Sequence, residues 1–262
     1  MVNFDVKPHY GYEDLLRLIH ILRSPEGCPW DRVQTHHSLR RCFLEEACEA
    51  VEAIDRDDPE SLREELGDVL LQVVFHADLA SDAGDFTMDD VCDRIVKQMI
   101  YRHPHVFGSE AAEDVSRGPA AWDDLKRREK GQTTHAQELD AVARTLPQLW
   151  RAEKLQKKAA AAGFDWPDIS GALSKLDEEV AELRQSVAEE NNISEELGDV
   201  LFAAVKVGRF AGIDPEAALS DTCEKFIRRF RLVEEAAAQR GTTMEDLSVE
   251  ELEKLWQDAK KA

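Results

Sequence analysis

Glu46 and Glu49 are spaced E-x-x-E, and Glu65 and Asp68 are spaced E-x-x-D. Glu179, Glu182, Glu196 and Asp199 repeat both spacings in the second half of the chain. Residues three or four apart share one face of a helix. The segments between the paired motifs are short, so the helices that carry them should pack antiparallel. Four carboxylates then converge across each helix pair. Like charges so spaced destabilise a helix by about a few tenths of a kcal/mol per pair, and burying them together costs more unless something neutralises them. A hard divalent cation does that, and an all-oxygen ligand set suits Mg²⁺ or Mn²⁺ rather than zinc. Acidic residues number 54 of 262, so a lone E-x-x-E is an ordinary solvated face. The paired motif, in the same order, beside an unusually apolar helix and present twice, outweighs that reading.

The elements that must position these acids can be read from the pattern. EELGDVL occurs at Glu64–Leu70 and again at Glu195–Leu201. Each copy follows an E-E-x-x-E stretch, Glu45–Glu49 or Glu178–Glu182. Apolar spacing predicts helices over about 15–22, 38–54, 61–83 and 88–101, then again over about 170–187, 195–210 and 215–239. Ser61 or a near neighbour is expected to cap the third helix, and Gly84 and Gly212 to stop their helices. The helix after Ser61 is apolar on most sides, so most of it is expected to be buried. Gly67 and Gly198 sit inside helices, at a cost of roughly 1 kcal/mol each relative to Ala. Their recurrence predicts that a side chain there would block close packing or a ligand. Gly108–Gly118 and Gly131–Thr134 read as loops around a charged helix at Trp122–Lys130. The expected fold is all-α: two tandem homologous units, each a small bundle with an acidic antiparallel helix pair. Their expected bounds are 1–130 and 147–262, joined by a linker over 131–146.

The formal net charge is −21, which repels nucleic acid and anionic membrane surfaces, so neither is expected as a partner. Cys28, Cys42, Cys48, Cys92 and Cys223 are scattered and odd in number. They read as reduced thiols, not as a disulfide framework or zinc site, and the expected location is the cytoplasm. No apolar run is long enough for a membrane span, and no signal peptide is indicated. His36, His37, His103 and His105 are expected to pack or cap. Trp30 and Trp166 lie upstream of their acidic helices and are expected to cover the site or the core. The two apolar helices look too hydrophobic for one small bundle to cover, which predicts a homodimer or larger homo-oligomer.

The E-E-x-x-E … E-x-x-D pattern, Cys28-Pro29-Trp30-Asp31, Arg102-His103-Pro104-His105-Val106-Phe107 and the tandem layout together resemble the MazG family over nearly the whole chain. These are nucleoside triphosphate pyrophosphohydrolases of the all-α NTP pyrophosphatase superfamily. The resemblance implies Mg²⁺-dependent hydrolysis of NTPs and dNTPs to monophosphate and pyrophosphate, by helical domains that dimerise.

A triphosphate also needs protein cations. The second half supplies Lys225, Arg228 and Arg229, where the first half has Gln98 and Tyr101 at the first two positions. Lys175 stands three residues before the second E-E-x-x-E, where the first half has Cys42. The C-terminal copy is therefore expected to be the main catalytic site. Glu179, Glu182, Glu196 and Asp199 would hold the metal, and Glu46, Glu49, Glu65 and Asp68 a second, weaker site. Glu178 is the candidate general base or water-orienting group, with water attacking the α-phosphorus. Lys175, Lys225, Arg228 and Arg229 would neutralise phosphate charge. The resemblance adds Phe226, in the same stretch, and Trp256 as nucleotide-binding positions. Two alternatives stand beside this: a regulatory or scaffold protein that binds nucleotide or metal without turnover, and an enzyme narrowed to one unusual nucleotide.

Overall fold

The computed structural model describes residues 4–107 and 125–261, and among them no strand occurs. The chain divides into two compact units, Met1–Asp123 and Asp124–Ala262. The loop expected over Gly108–Gly118 lies outside the described residues, as does the start of the helix expected at Trp122–Lys130.

The first unit holds α1 (Tyr12–Arg23), α2 (His36–Asp55), α3 (Pro59–Ala83) and α4 (Met88–Arg102). Single helical turns follow α1, at Pro29–Arg32, and α4, at Pro104–Phe107. Helices α2 and α3 form a long antiparallel hairpin. Its tight corner is set by Asp58, whose side chain accepts hydrogen bonds from the Glu60 and Ser61 amides at 3.1 and 3.2 Å. Asp58, not Ser61, is thus the N-cap of α3, because Pro59 suits the first helical position and leaves no amide there to satisfy. Gly84 ends α3 at φ 76°, a left-handed cap that glycine adopts without a Cβ penalty. The core gathers Ile19, Leu39, Val74 and Phe75, with Leu15, Leu16, Leu22 and Leu71 packed around them.

The second unit begins, among the described residues, with helical residues 125–129, the described part of the helix expected at Trp122–Lys130, and a six-residue helix at His135–Asp140. It continues through α5 (Gln148–Ala161), α6 (Ile169–Glu189), α7 (Ile193–Ala211), α8 (Pro215–Gln239) and α9 (Val249–Ala259). The hairpin α6–α7 repeats α2–α3. Helices α5 and α9 carry no motif, and the apolar spacing did not single them out. Helix α5 is tied in through polar contacts. The Gln156 amide donates to the Phe202 carbonyl at 2.8 Å, and the Trp150 indole donates to Asp214 at 2.9 Å. Asp214 also caps α8, accepting from the Glu216 and Ala217 amides. Helix α9 closes a second small core with Val233, Leu255 and Ala259.

Two expectations about the EELGDVL helices fail within a single chain. Leu66, Leu70, Leu197, Leu201 and Phe202 are between 38% and 53% exposed, so burial is confined to the later turns, such as Val74 and Val205. A Cβ added at Gly67 or Gly198 would meet nothing within 4 Å. Packing inside the chain therefore does not call for either glycine. The helices described in each unit leave the apolar side chains of the turn that carries the acids exposed.

Candidate metal and nucleotide site

In the first unit, Glu46 and Glu49 from α2 meet Glu65 from α3, with ligand oxygens within 4.8 Å of one another. Burial pushes the pKa of Glu46 up, and the charges of Asp68, Glu49 and Glu65 push it further. Burial likewise raises Glu65, followed by the charges of Glu49 and Asp68. Asp68 is thus close enough to act electrostatically but stands outside the tight triad.

In the second unit the triad is Glu179, Glu196 and Asp199, again within 4.8 Å. Glu179 is buried, at 7% exposure. Glu182 stands outside this triad, hydrogen-bonded to Glu179, and that bond, ahead of burial and the Glu179 charge, raises its pKa. All eight predicted acids therefore gather at their two hairpins, with a different fourth member loosened in each. Crowded, part-buried carboxylates are the environment a divalent cation relieves, and the all-oxygen donor set fits a hard ion.

The surroundings of the two triads differ. Lys175 Nζ lies 2.6 Å from Glu178 and 2.8 Å from Glu179. Those hydrogen bonds push its pKa well above the usual lysine value. Glu178, the candidate base, is therefore held by Lys175. Beside Glu179 and Asp199 opens a cavity of about 170 Å³, lined also by Phe164, Trp166, Lys175, Phe202 and Lys206. Its floor is made of Ala172 and Ala203. Counting from the motifs, the first unit has Leu39, Cys42, Gln72 and Phe75 where the second has Ala172, Lys175, Ala203 and Lys206. Leu39 and Phe75 belong to the buried core. Leu39 and Gln72 thus stand in one unit where two alanines line the cavity of the other, and Phe75 stands where the other has Lys206.

Lys206 and its neighbours escaped the sequence reading. Lys206 is buried at 8% exposure, with Nζ 4.2 Å from the Trp166 ring centroid and 3.5 Å from Asp165. Burial works to raise the Asp165 pKa, but the hydrogen bonds from Arg209 and the Trp166 amide, with the charges of Arg209 and Lys206, hold it below the usual value. A lysine inside an apolar stretch was the available signal, at the step where the first repeat has Phe75. Trp166 lines the cavity as expected. Trp30 does not cover a core: it is 63% exposed.

Lys225, Arg228 and Arg229 make no ion pair or hydrogen bond among the described residues. Phe226 packs on Trp256, with ring centroids 5.3 Å apart, and both line a separate cavity of about 220 Å³ that holds none of the triad. Within one chain these predicted nucleotide-binding residues are not part of the Glu179 cavity. Helix α8 makes only a small contact with α7. Of the four histidines, His36 stacks on His76 at 5.0 Å, and His103 bonds the Met99 carbonyl at 2.6 Å and lies 5.6 Å from His105, whereas His37 is exposed.

An all-α fold with an acidic triad at the same turn of two repeated hairpins defines the class of protein. The profile of the MazG nucleotide pyrophosphohydrolase domain matches residues 34–107 and 169–234. The chain is 41% identical over 249 residues to the nucleoside triphosphate pyrophosphohydrolase/pyrophosphatase MazG of Thermotoga maritima, covering 95% of each chain. It is 42% identical over 252 residues to the nucleoside triphosphate pyrophosphohydrolase of Escherichia coli K12, covering 94% of this chain and 96% of the relative. It is also 46% identical over 255 residues to the Bacillus subtilis protein YabN, of whose length it spans 52%. The chain belongs to the MazG family.

Proposed function

We propose that this protein is a Mg²⁺-dependent nucleoside triphosphate pyrophosphohydrolase. On this reading it converts NTPs and dNTPs to monophosphate and pyrophosphate, with turnover in the C-terminal unit. The observation that carries the proposal is the cavity in which Glu179, Asp199, Lys175 and Lys206 meet. The first unit has the acids, but Leu39 and Phe75 occupy the corresponding space. The names of the full-length relatives support the reaction class.

Glu179, Glu182, Glu196 and Asp199 hold the cation, and Mn²⁺ is an acceptable substitute. The bound cation supplies charge neutralisation and activation of water for attack at the α-phosphorus. The triphosphate lies along the carboxylates, and the nucleoside enters the adjoining cavity. Lys175 exchanges Glu178 and Glu179 for phosphate oxygens once the carboxylates are neutralised, which frees Glu178 to orient water or accept its proton. Glu46, Glu49, Glu65 and Asp68 form a second, weaker cation site.

Lys225, Phe226, Arg228, Arg229 and Trp256 contact nucleotide when a second copy is present. The exposed Leu197, Leu201, Phe202, Phe226, Ile227 and Phe230 suit burial in a homodimer or larger homo-oligomer. On this reading the two domains span 1–130 and 147–262, with a linker over 131–146. Five free cysteines suit a reducing compartment, and we place the protein in the cytoplasm.

The test is product analysis with mixed NTPs, dNTPs and Mg²⁺. Monophosphate plus pyrophosphate is expected. Diphosphate plus orthophosphate would place the attack at another phosphorus and overturn the mechanism. Nucleotide binding without any product would make the chain a binding module.

A further inference from the structure

The cavity beside the C-terminal triad has a cationic group that the phosphates do not need. Lys206 lines the cavity from α7, two to three turns beyond Glu196 and Asp199. Its position is built. Trp166 presses so closely on α6 that a Cβ on Gly171 would come 2.4 Å from the indole Cδ1, so only glycine leaves room for the ring. The ring in turn lies under the Lys206 ammonium at 4.2 Å. Asp165, the neighbouring acid, is already occupied: Arg209 Nη2 lies 2.7 Å from both of its oxygens. Lys206 reaches Asp165 only at 3.5 Å and has no shorter ion pair among the described residues. One carboxylate thus faces two cations, and the cluster carries one excess positive charge.

An ammonium has three N–H donors and no acceptor. The indole face lies 4.2 Å and Asp165 3.5 Å from Nζ, and Lys206 also lines the cavity, where it can donate to a group inside. A buried donor left unpaired is costly, so the site favours a ligand atom that accepts. A keto oxygen does so. An exocyclic amino group at the same ring position presents hydrogens and is repelled.

We propose that Lys206 is the specificity-determining residue of the C-terminal site and selects nucleobases with a keto oxygen at the six-position of a purine or the four-position of a pyrimidine. Guanine, hypoxanthine, uracil and thymine are accepted over adenine and cytosine. This rests on the functional reading given above. Phe75, at the equivalent step of the first repeat, cannot donate, so this selection belongs to the second unit alone.

The experiment compares kcat/KM for GTP, ITP and ATP in the full chain and in Lys206→Met and Lys206→Arg. Wild type should prefer both GTP and ITP over ATP by about tenfold, the gain expected from a hydrogen bond to a charged donor. Lys206→Met should bring both ratios close to one, chiefly by raising KM for GTP and ITP. Lys206→Arg, which keeps a donor, should restore part of the preference. Gly171→Ala, which displaces Trp166 without touching Lys206, should also lower the ratio. Thermal unfolding of each variant checks that it is folded. If Lys206→Met lowers turnover of all three substrates by the same factor, Lys206 is only a counter-charge to Asp165 and the proposal fails. A wild-type preference for GTP without one for ITP would assign selection to the guanine amino group and overturn it too. In both cases pyrophosphate release leaves the enzymatic reading intact. Absence of pyrophosphate from every triphosphate would overturn that reading and this proposal together.

Discussion

The two hairpins start from the same motifs and end with different surroundings. In α2–α3 the acids sit above a filled core, where Leu39 and Phe75 pack with Ile19 and Val74. In α6–α7 the acids sit beside a cavity, because Ala172 and Ala203 are small and Lys206 lies aside on Trp166. The buried ion networks are reversed as well. In the first unit the cation comes from α1, where Arg23 pairs with Asp78 and Asp82 of α3. In the second, Arg209 and Lys206 of α7 pair with Asp165 from the preceding loop. A duplicated acidic motif preserves the capacity to bind a cation. The few residues one or two turns away decide whether anything else fits beside it.

That contrast can be broken most forcefully at Phe75. Phe75→Ala should destabilise the first unit by about 3–5 kcal/mol, as for other buried phenylalanines, and chemical denaturation would measure it. A loss below about 1 kcal/mol would mean that Phe75 is not a plug. Next comes the paired removal of one carboxylate from each triad. Glu179→Gln should lower kcat/KM about a hundredfold or more, while Glu46→Gln changes it by only a few fold. The opposite ranking in steady-state kinetics would move the active site to the first unit. Ala203→Gln places the first unit's residue in the second unit's cavity. It should lower kcat/KM about tenfold through KM, consistent with the cost of overpacking. An unchanged KM would show that substrate does not use the cavity.

Two helix caps, Asp58 on α3 and Asp214 on α8, give a smaller contrast. Asp58→Ala should cost about 1 kcal/mol, the value of one N-cap. Asp214→Ala should cost more, since Asp214 also holds the Trp150 indole. Equal losses in thermal unfolding would deny that second role. The smallest effect is on pH. The raised pKa values of Glu46 and Glu65 mean that the folded first unit binds protons more readily than the unfolded chain. Their contribution to stability is therefore fully present below the ordinary glutamate value and is lost as pH rises through the raised values. A divalent cation removes the same repulsion. It should raise Tm more at neutral pH than near pH 4.5, and a pH-independent shift would place the ion elsewhere.

Much of this was legible in the sequence because it is local. Helical spacing put Glu46 beside Glu49 and Glu196 beside Asp199, and a short corner at Asp58 left the hairpin little choice but to fold back. Helices α5 and α9 were not legible as parts of the design. Helix α5 is anchored by single polar contacts, Gln156 to Phe202 and Trp150 to Asp214, that leave no periodic trace. The packing half of the reading of Gly67 and Gly198 failed for a related reason: composition tells that a helix is apolar, not which neighbour covers it.

The sequence by itself determined the all-α repeat, the two acidic clusters and the cationic bias of the second half. Each depends on residues three or four apart, and the geometry of a helix fixes those relations without help. Only the tertiary structure decided that Glu182 and Asp68 stand outside their triads, that Lys175 is engaged by Glu178, and that Lys206 lies on Trp166 at the edge of an open cavity. These depend on how separate segments approach in space, where a change from Leu39 to Ala172 or from Phe75 to Lys206 decides whether volume is filled or left for a ligand.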